Sequence, residues 1–193
     1  MASQWEEFYD RTAGQPHWPL VERAADLHGG PGHAVDLGCG AGRDTRYLLG
    51  WGWTVTALDQ EPAALARLAG LPADRLHPVL SRIEDFTYPD APYDLISAQF
   101  ALPFIPPPHL PAALGRLVAA LRPGGLLAGQ FFGPHDAWNA PGSHMTFLPR
   151  AAVDRLLRDL TVLELTEEEN DGPTAAGPVK HWHVFHVLAR RDR

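Results

Sequence analysis

The stretch Val35-Asp36-Leu37-Gly38-Cys39-Gly40-Ala41-Gly42-Arg43 places three glycines directly behind a short apolar run. Glycines leaving a strand let the backbone turn sharply and come close to a ligand. A helix opening straight afterwards offers free N–H groups and the positive end of its dipole. Either a pyrophosphate or the amino-acid part of a nucleoside cofactor can use that environment. The spacing separates the two. A dinucleotide fingerprint G-x-G-x-x-G needs its third glycine for close helix–strand packing. Counted from Gly38, that position is Arg43, and a long charged side chain is a poor substitute. G-x-G-x-G with Asp36 just before it is the better description. Asp59 ends the next strand, about 20 residues on, where a carboxylate able to accept both ribose hydroxyls is expected. Cys39, wedged between loop glycines without a dedicated base, reads as a small residue beside the cofactor rather than a nucleophile.

These residues need a frame that brings loop and carboxylate to one rim. Short apolar runs alternate with helical patterns along the chain. Strands are expected at 33–37, 54–58, 76–80, 93–97 and 126–132, with helices opening near Gly42, Pro62 and Pro149. Leu110, Leu114, Leu117, Val118 and Leu121 keep one face of a further helix, which Pro123-Gly124-Gly125 ends. Residues 161–165 and 182–189 are both strand-like with no helix between them. Strand–helix alternation gives a parallel sheet, and two final strands joined by a loop give an antiparallel hairpin at its edge. No repeat or linker divides the 193 residues, so a single domain over 1–193 is expected, with 1–30 as a helical cover on a core of 31–193.

VDLGCGAGRDTRYL, VTALDQEP, YDLISAQFAL and LRPGGLLAGQFF, taken in order, resemble the successive motifs of the class I S-adenosylmethionine (SAM)-dependent methyltransferases. The resemblance covers most of the chain. It implies a Rossmann-like α/β fold, with a seven-stranded, mostly parallel sheet, helices on both faces and a C-terminal antiparallel hairpin. SAM is the implied cofactor. Gly38 and Gly40 would line its methionine part, with Asp36 and Cys39 in the same loop, Asp59 on the ribose and Gln60 beside the adenine. Many relatives carry an acidic residue after the third strand for the adenine amine. Arg82 stands there, which leaves the adenine to backbone groups around Ile83 and Glu84. Within the class, the Gly-Cys-Gly-Ala-Gly-Arg-Asp loop looks like that of the tellurite-resistance methyltransferases. This implies that Arg43, Tyr9 and Arg11 help hold the SAM carboxylate. Those enzymes also carry a His-Arg pair in the final hairpin. Here the stretch reads Glu167-Glu168-Glu169-Asn170-Asp171-Gly172, an acidic loop ill suited to an oxyanion.

Ligands of open α/β sheets sit beyond the carboxyl ends of the parallel strands. That rule nominates Gln99, Phe100, Ala101, Leu102 and Phe104 after the fourth strand, with Gln99 on the cofactor side. It also nominates the loop 133–148, with His135, Asp136, Trp138, His144, Met145 and Phe147. Loops this long in compact domains are often binding loops. The antiparallel last strand starts at the same rim with Lys180-His181-Trp182-His183, and Trp5, Phe8, Tyr9 and Trp18 can fold over as a cover. The expected result is an aromatic pocket edged with histidines, for a thiol, a chalcogen species or a small metabolite. His181 and His183, on one face of a strand, are the candidate bases. They could chelate a metal with His135 and Asp136, but the spacing matches no metal motif and no metal is expected.

Composition narrows the alternatives. A net charge of -7 argues against a nucleic-acid partner held by bulk electrostatics. No apolar run is long enough to span a bilayer, and the start of the chain lacks the features of a signal peptide. One cysteine permits no intrachain disulfide, so the cytoplasm is expected. The competing readings are a non-catalytic SAM-binding protein and a nicotinamide-dependent oxidoreductase.

Overall fold

The computed structural model describes residues 4–88, 93–175 and 177–192. Two helices, α1 (Gln4–Thr12) and α2 (Pro19–His28), precede the alternating region. There follow β1 (His33–Leu37), α3 (Arg43–Gly50), β2 (Thr54–Asp59), α4 (Pro62–Ala66), β3 (Leu76–Leu80), β4 (Tyr93–Ala98), α5 (Leu110–Ala120), β5 (Leu121–Phe132), α6 (Arg150–Leu156), β6 (Thr161–Thr174) and β7 (Gly177–Arg190). The seven strands form one sheet in the order β3-β2-β1-β4-β5-β7-β6. Neighbours from β3 to β5 run parallel, while β7 is antiparallel to both β5 and β6. The expected fold class is therefore the observed one.

The order reverses direction at β1, and ligands of such sheets bind where connections leave to opposite faces. Alternation along the central strands feeds two cores. Val35, Leu37, Ile96, Leu127, Phe131 and Phe185 pack with α5 and α6. Ala34, Val55, Leu95, Ala128 and Leu188 pack with α2 and α3 on the other face. Leu20 and Ala24 of α2 belong to that second core, so α2 is a structural layer and only α1 lies over the rim as a cover. Among the described residues no helix is long and apolar enough to cross a membrane.

Two boundaries differ from the sequence expectation. Strand β5 starts at Leu121, not Leu126, because Leu121 already pairs with Tyr93 before a register irregularity. The acidic stretch expected as a loop is strand: β6 and β7 each run 14 residues, and Glu169 lies opposite His183, Asp171 opposite His181. Beyond Phe132, the loop 133–148 replaces β5 as the neighbour of β7. The Gly133 and Ala137 N–H groups donate to the carbonyls of His183 and His181 at 2.7 and 3.0 Å.

The β4–β5 contact is tight. A Cβ on Gly129 would lie 2.9 Å from the Ala98 carbonyl oxygen and 3.2 Å from its Cβ, and backbone in mid-sheet cannot retreat. Gly129→Ala is expected to cost about 1–3 kcal/mol of stability through overpacking, read as a lower urea midpoint with an unchanged m-value.

Candidate cofactor and acceptor site

The loop after β1 is built from left-handed glycines. Gly38, Gly40 and Gly42 have φ of 65°, 51° and 80°, a region costly for any residue with a Cβ. Space is equally restrictive at Gly42, where a Cβ would meet the Leu68 side chain at 2.4 Å. Asp59, at the end of β2, holds this loop in place. Its Oδ2 accepts the Gly40 N–H and its Oδ1 the Glu61 N–H, both at 2.9 Å. Burial pushes the carboxyl up, against the pull of these donors and of the Tyr9 hydroxyl. Tyr9 is 3% exposed. Its ring lies over Gly40 and its hydroxyl points at Asp59 Oδ1 from 3.5 Å. The sequence-derived pairing of loop, Asp59 and Tyr9 is thus one cluster in space.

Two more carboxylates lie beneath the loop. Asp36 accepts from Thr45 Oγ1 at 2.6 Å. Asp44 accepts the Trp18 N–H at 2.9 Å. Both are buried. Desolvation, and for Asp36 also the charge of Asp44, raises both carboxyls above the ordinary range. Cys39 is buried beside Asp36 and Asp59, and the same causes push its thiol well up. A thiol so held is no nucleophile.

Arg43 ties the N-terminal segment to the loop. Its Nε donates to the Pro16 carbonyl at 2.8 Å, and its guanidinium lies 4.4 Å from the Trp18 ring centroid. It braces the cover. Arg11 is not brought to the loop: it pairs with Glu7 on the exposed side of α1. At the other end, Gln60 is exposed beyond Asp59 and Ile83 is buried. Glu84 is held by Arg82 Nε at 2.7 Å and, through its carbonyl, by Arg116. Arg82 is therefore engaged with its neighbour Glu84.

The end of β4 is locked by a pair of amides. Gln99 Nε2 donates to the Ala128 carbonyl at 3.0 Å, and its Oε1 accepts from Gln130 Nε2 at 2.9 Å. Gln130 Oε1 accepts the Phe100 N–H at 2.7 Å. Phe100 itself has φ 56°, the one left-handed non-glycine described. Such strain collects at functional sites. The Phe100 ring lies 4.7 Å from Trp18, 6.0 Å from Trp182 and 6.3 Å from His186. Register explains the company: Gln130 is opposite His186 and Phe132 opposite Val184, so Gln130, Phe132, Trp182 and His186 share a face. On this face the ammonium of Lys180 sits 3.9 and 3.8 Å from the rings of Trp138 and Trp182 and pairs with Asp136. Both charged groups are nearly inaccessible, at 7% and 0%.

His181 and His183 stand on one face of β7, as expected, but it is the other face. His183 shares it with Phe185, which is opposite Phe131, and its ring partners are Glu167 and the His135 N–H. His181 bonds Asp171 and Glu169. The expectation that this pair edges the aromatic pocket is corrected: the histidine beside Phe100 is His186. Sequence reasoning also passed over Asp44 and Gln130. The signal for Gln130 was a single amide inside the apolar run Leu126-Leu127-Ala128-Gly129-Gln130-Phe131-Phe132.

Residues 34–125 match the family model described as "Methyltransferase domain". A trans-aconitate 2-methyltransferase of Acidovorax sp. is 37% identical over 129 residues, 63% of this chain and 47% of that protein. The chain spans about half the length of the curated relatives it matches. The crystal structure of TehB from Haemophilus influenzae superposes with a TM-score of 0.77 at 20% identity, covering 97% of this chain and 67% of that one. A Burkholderia thailandensis 1,6-didemethyltoxoflavin-N1-methyltransferase, crystallised with 1,6-didemethyltoxoflavin and S-adenosylhomocysteine, gives 0.67 at 25% identity over 91% and 77% of the two chains.

The buried acids make the ligand-free protein sensitive to pH. For Asp36 and Asp44 the folded pKa lies above the unfolded 3.8, about 8 and about 6 respectively. Their stabilising contribution is therefore complete below pH 3.8 and is lost as pH rises through those values. Asp36→Asn is expected to flatten the fall in urea-unfolding stability between pH 5 and 8.5 by about 1–3 kcal/mol. An unchanged slope would place the titrating group elsewhere.

Proposed function

We propose that this chain, matched over residues 34–125 by the methyltransferase-domain family model, is a class I SAM-dependent methyltransferase that transfers the methyl group of SAM to a small-molecule acceptor. The observation that carries this reading is the glycine loop set among three buried carboxylates, Asp36, Asp44 and Asp59. Buried acids of one sign raise each other's pKa and favour a cation. SAM brings a sulfonium and an ammonium. A nicotinamide dinucleotide brings a pyrophosphate, an anion that would keep these carboxyls protonated and gain no charge partner from them, and that weighs against the oxidoreductase.

Each part has a role in this reading. Gly38, Cys39 and Gly40 approach the methionine part, with Asp36 beneath them. Asp59 exchanges its Tyr9 contact for the ribose hydroxyls while keeping its backbone donors. Gln60, Ile83 and Glu84 border the adenine. Tyr9 and Arg43 close the cover over the cofactor, Tyr9 directly and Arg43 through Pro16 and Trp18. Gln99 shapes the rim through Gln130 and does not itself reach outwards. The acceptor lies against Phe100, Trp18 and Trp182. Methyl transfer from a sulfonium is an in-line displacement, so alignment and exclusion of water supply most of the catalysis. Where the acceptor must lose a proton, His186 is the group on the right face. The aromatic wall suits soft or flat acceptors such as thiols, chalcogen species and compact metabolites. The relatives named for trans-aconitate and 1,6-didemethyltoxoflavin are consistent with a small acceptor.

Asp59→Ala is expected to weaken SAM binding at least about tenfold, the scale of a lost charge-assisted hydrogen bond, by calorimetric titration. His186→Ala should leave that titration unchanged. Formation of S-adenosylhomocysteine from SAM, screened over thiols, selenite, tellurite, small carboxylic acids and flat heterocycles, tests the activity. Product that depends on one acceptor supports the proposal. SAM binding without turnover across the panel would favour a non-catalytic SAM-binding protein, and absence of SAM binding would overturn the reading.

A further inference from the structure

A second cluster of ligating groups lies on the face of the β6–β7 hairpin turned away from Phe100. His135, Glu169 and His183 each offer a ligand atom, and these atoms lie within 4.8 Å of one another. His135 Nδ1 is 3.2 Å from both carboxylate oxygens of Glu169, and His183 Nδ1 is 3.7 Å from Oε2. Ligands about 2.0–2.1 Å from a tetrahedral zinc are separated by about 3.3–3.5 Å from each other. The observed separations bracket that edge.

The state of His183 fits as well. Its Nδ1 accepts the His135 N–H at 3.3 Å, so the ring proton resides on Nε2, which donates to Glu167 at 3.0 Å. A histidine bound to metal through one nitrogen characteristically gives the other N–H to a carboxylate, which fixes its tautomer and orientation. Glu167 provides that carboxylate. The Nδ1 lone pair, now used in a long backbone contact, is the one a metal would take. The ring is only 3% exposed and lies where any Cβ at Gly133 would clash, at 2.3 Å. His183 is thus a fixed ligand, whereas His135 and Glu169 approach it from the solvent side. His181 Nε2 also lies 3.2 Å from Glu169 Oε1, an oxygen it shares with His135 Nδ1. Asp136, the partner the sequence suggested, is engaged with Lys180 instead.

We infer that His135, Glu169 and His183 form a binding site for a divalent transition-metal ion of the zinc type, which joins the loop 133–148 to the β6–β7 hairpin. Two imidazoles and a carboxylate suit this class of ion and leave a fourth position for water or His181. His135 comes from the loop and the other two ligands from the hairpin, so the bound ion acts as a clip. The site is separate from the proposed cofactor loop, and its failure would leave the SAM reading untouched.

The test is calorimetric titration of the full chain with zinc chloride at pH 7.5, beside His135→Ala and Glu169→Gln. Both positions are exposed and their replacement should preserve the fold, which the unfolding temperature without zinc will verify. The wild type is expected to bind a single equivalent with low-micromolar or tighter affinity and to unfold at a higher temperature with zinc. Each variant is expected to bind at least about tenfold more weakly and to lose the temperature increase. Zinc binding of equal strength in wild type and both variants would assign the ion to other histidines and overturn the inference. Absence of wild-type binding in the high-micromolar range would overturn it too.

Discussion

Asp59 is the point at which the sheet and the glycine loop become one object. A loop of left-handed glycines has many conformations open to it, and something must select one. The Asp59 carboxylate does so by accepting the Gly40 N–H from one side and the Glu61 N–H from the other. The selection is made on a strand buried along nearly its whole length, so the loop inherits the rigidity of the sheet. The same side chain draws the hydroxyl of Tyr9, which brings α1 over the rim. One carboxylate therefore organises the turn, the strand end and the cover. Its electrostatic position, pushed up by burial yet rich in donors, suits a group that exchanges one polar partner for another.

The N-terminal segment reaches the site through charge as well as through aromatic packing. Asp44 takes the Trp18 N–H and Arg43 takes the Pro16 carbonyl, so two consecutive residues at the start of α3 hold both sides of one short link. Trp18 then meets Phe100, whose backbone is fixed by Gln130. Glycine loop, cover and the end of β4 are thereby connected through a short series of hydrogen bonds and ring contacts. That connection is what an enzyme needs if closing over one ligand is to shape the pocket for the next.

The central strands were legible because their patterns are local. His33-Ala34-Val35-Asp36-Leu37 and Thr54-Val55-Thr56-Ala57-Leu58 are short apolar runs between turn residues, and nothing in the tertiary structure competes with them. The start of β5 was not legible. Pro123-Gly124-Gly125 reads as a stop signal, but Gly125 is needed because a Cβ there would lie 2.9 Å from the Tyr93 carbonyl oxygen. The polar run 167–172 read as a loop since its partners, the β7 histidines, are about a dozen residues away. The faces of His183 and Trp182 were the decisive uncertainty. Alternation says that they differ, yet only the register of Phe131 with Phe185 says which one turns towards Phe100. Arg43 was legible as a residue of importance, but its bond to the Pro16 carbonyl was not, since that partner carries no sequence signature.

The acidic arm of β6 has a bearing on solubility. This strand is one of the two outer edges of the sheet, and among the described residues its strand partner over its 14 residues is β7 alone. Long open edges invite a second chain to add a strand, and charged side chains are the usual safeguard. Glu164, Glu167, Glu168, Glu169 and Asp171 supply that safeguard along most of the arm. A copy of the chain approaching edge to edge would set like charges directly across from one another, which is destabilising in a paired sheet. The hairpin that completes the fold thus also lines the edge at which a further strand would add with like charges.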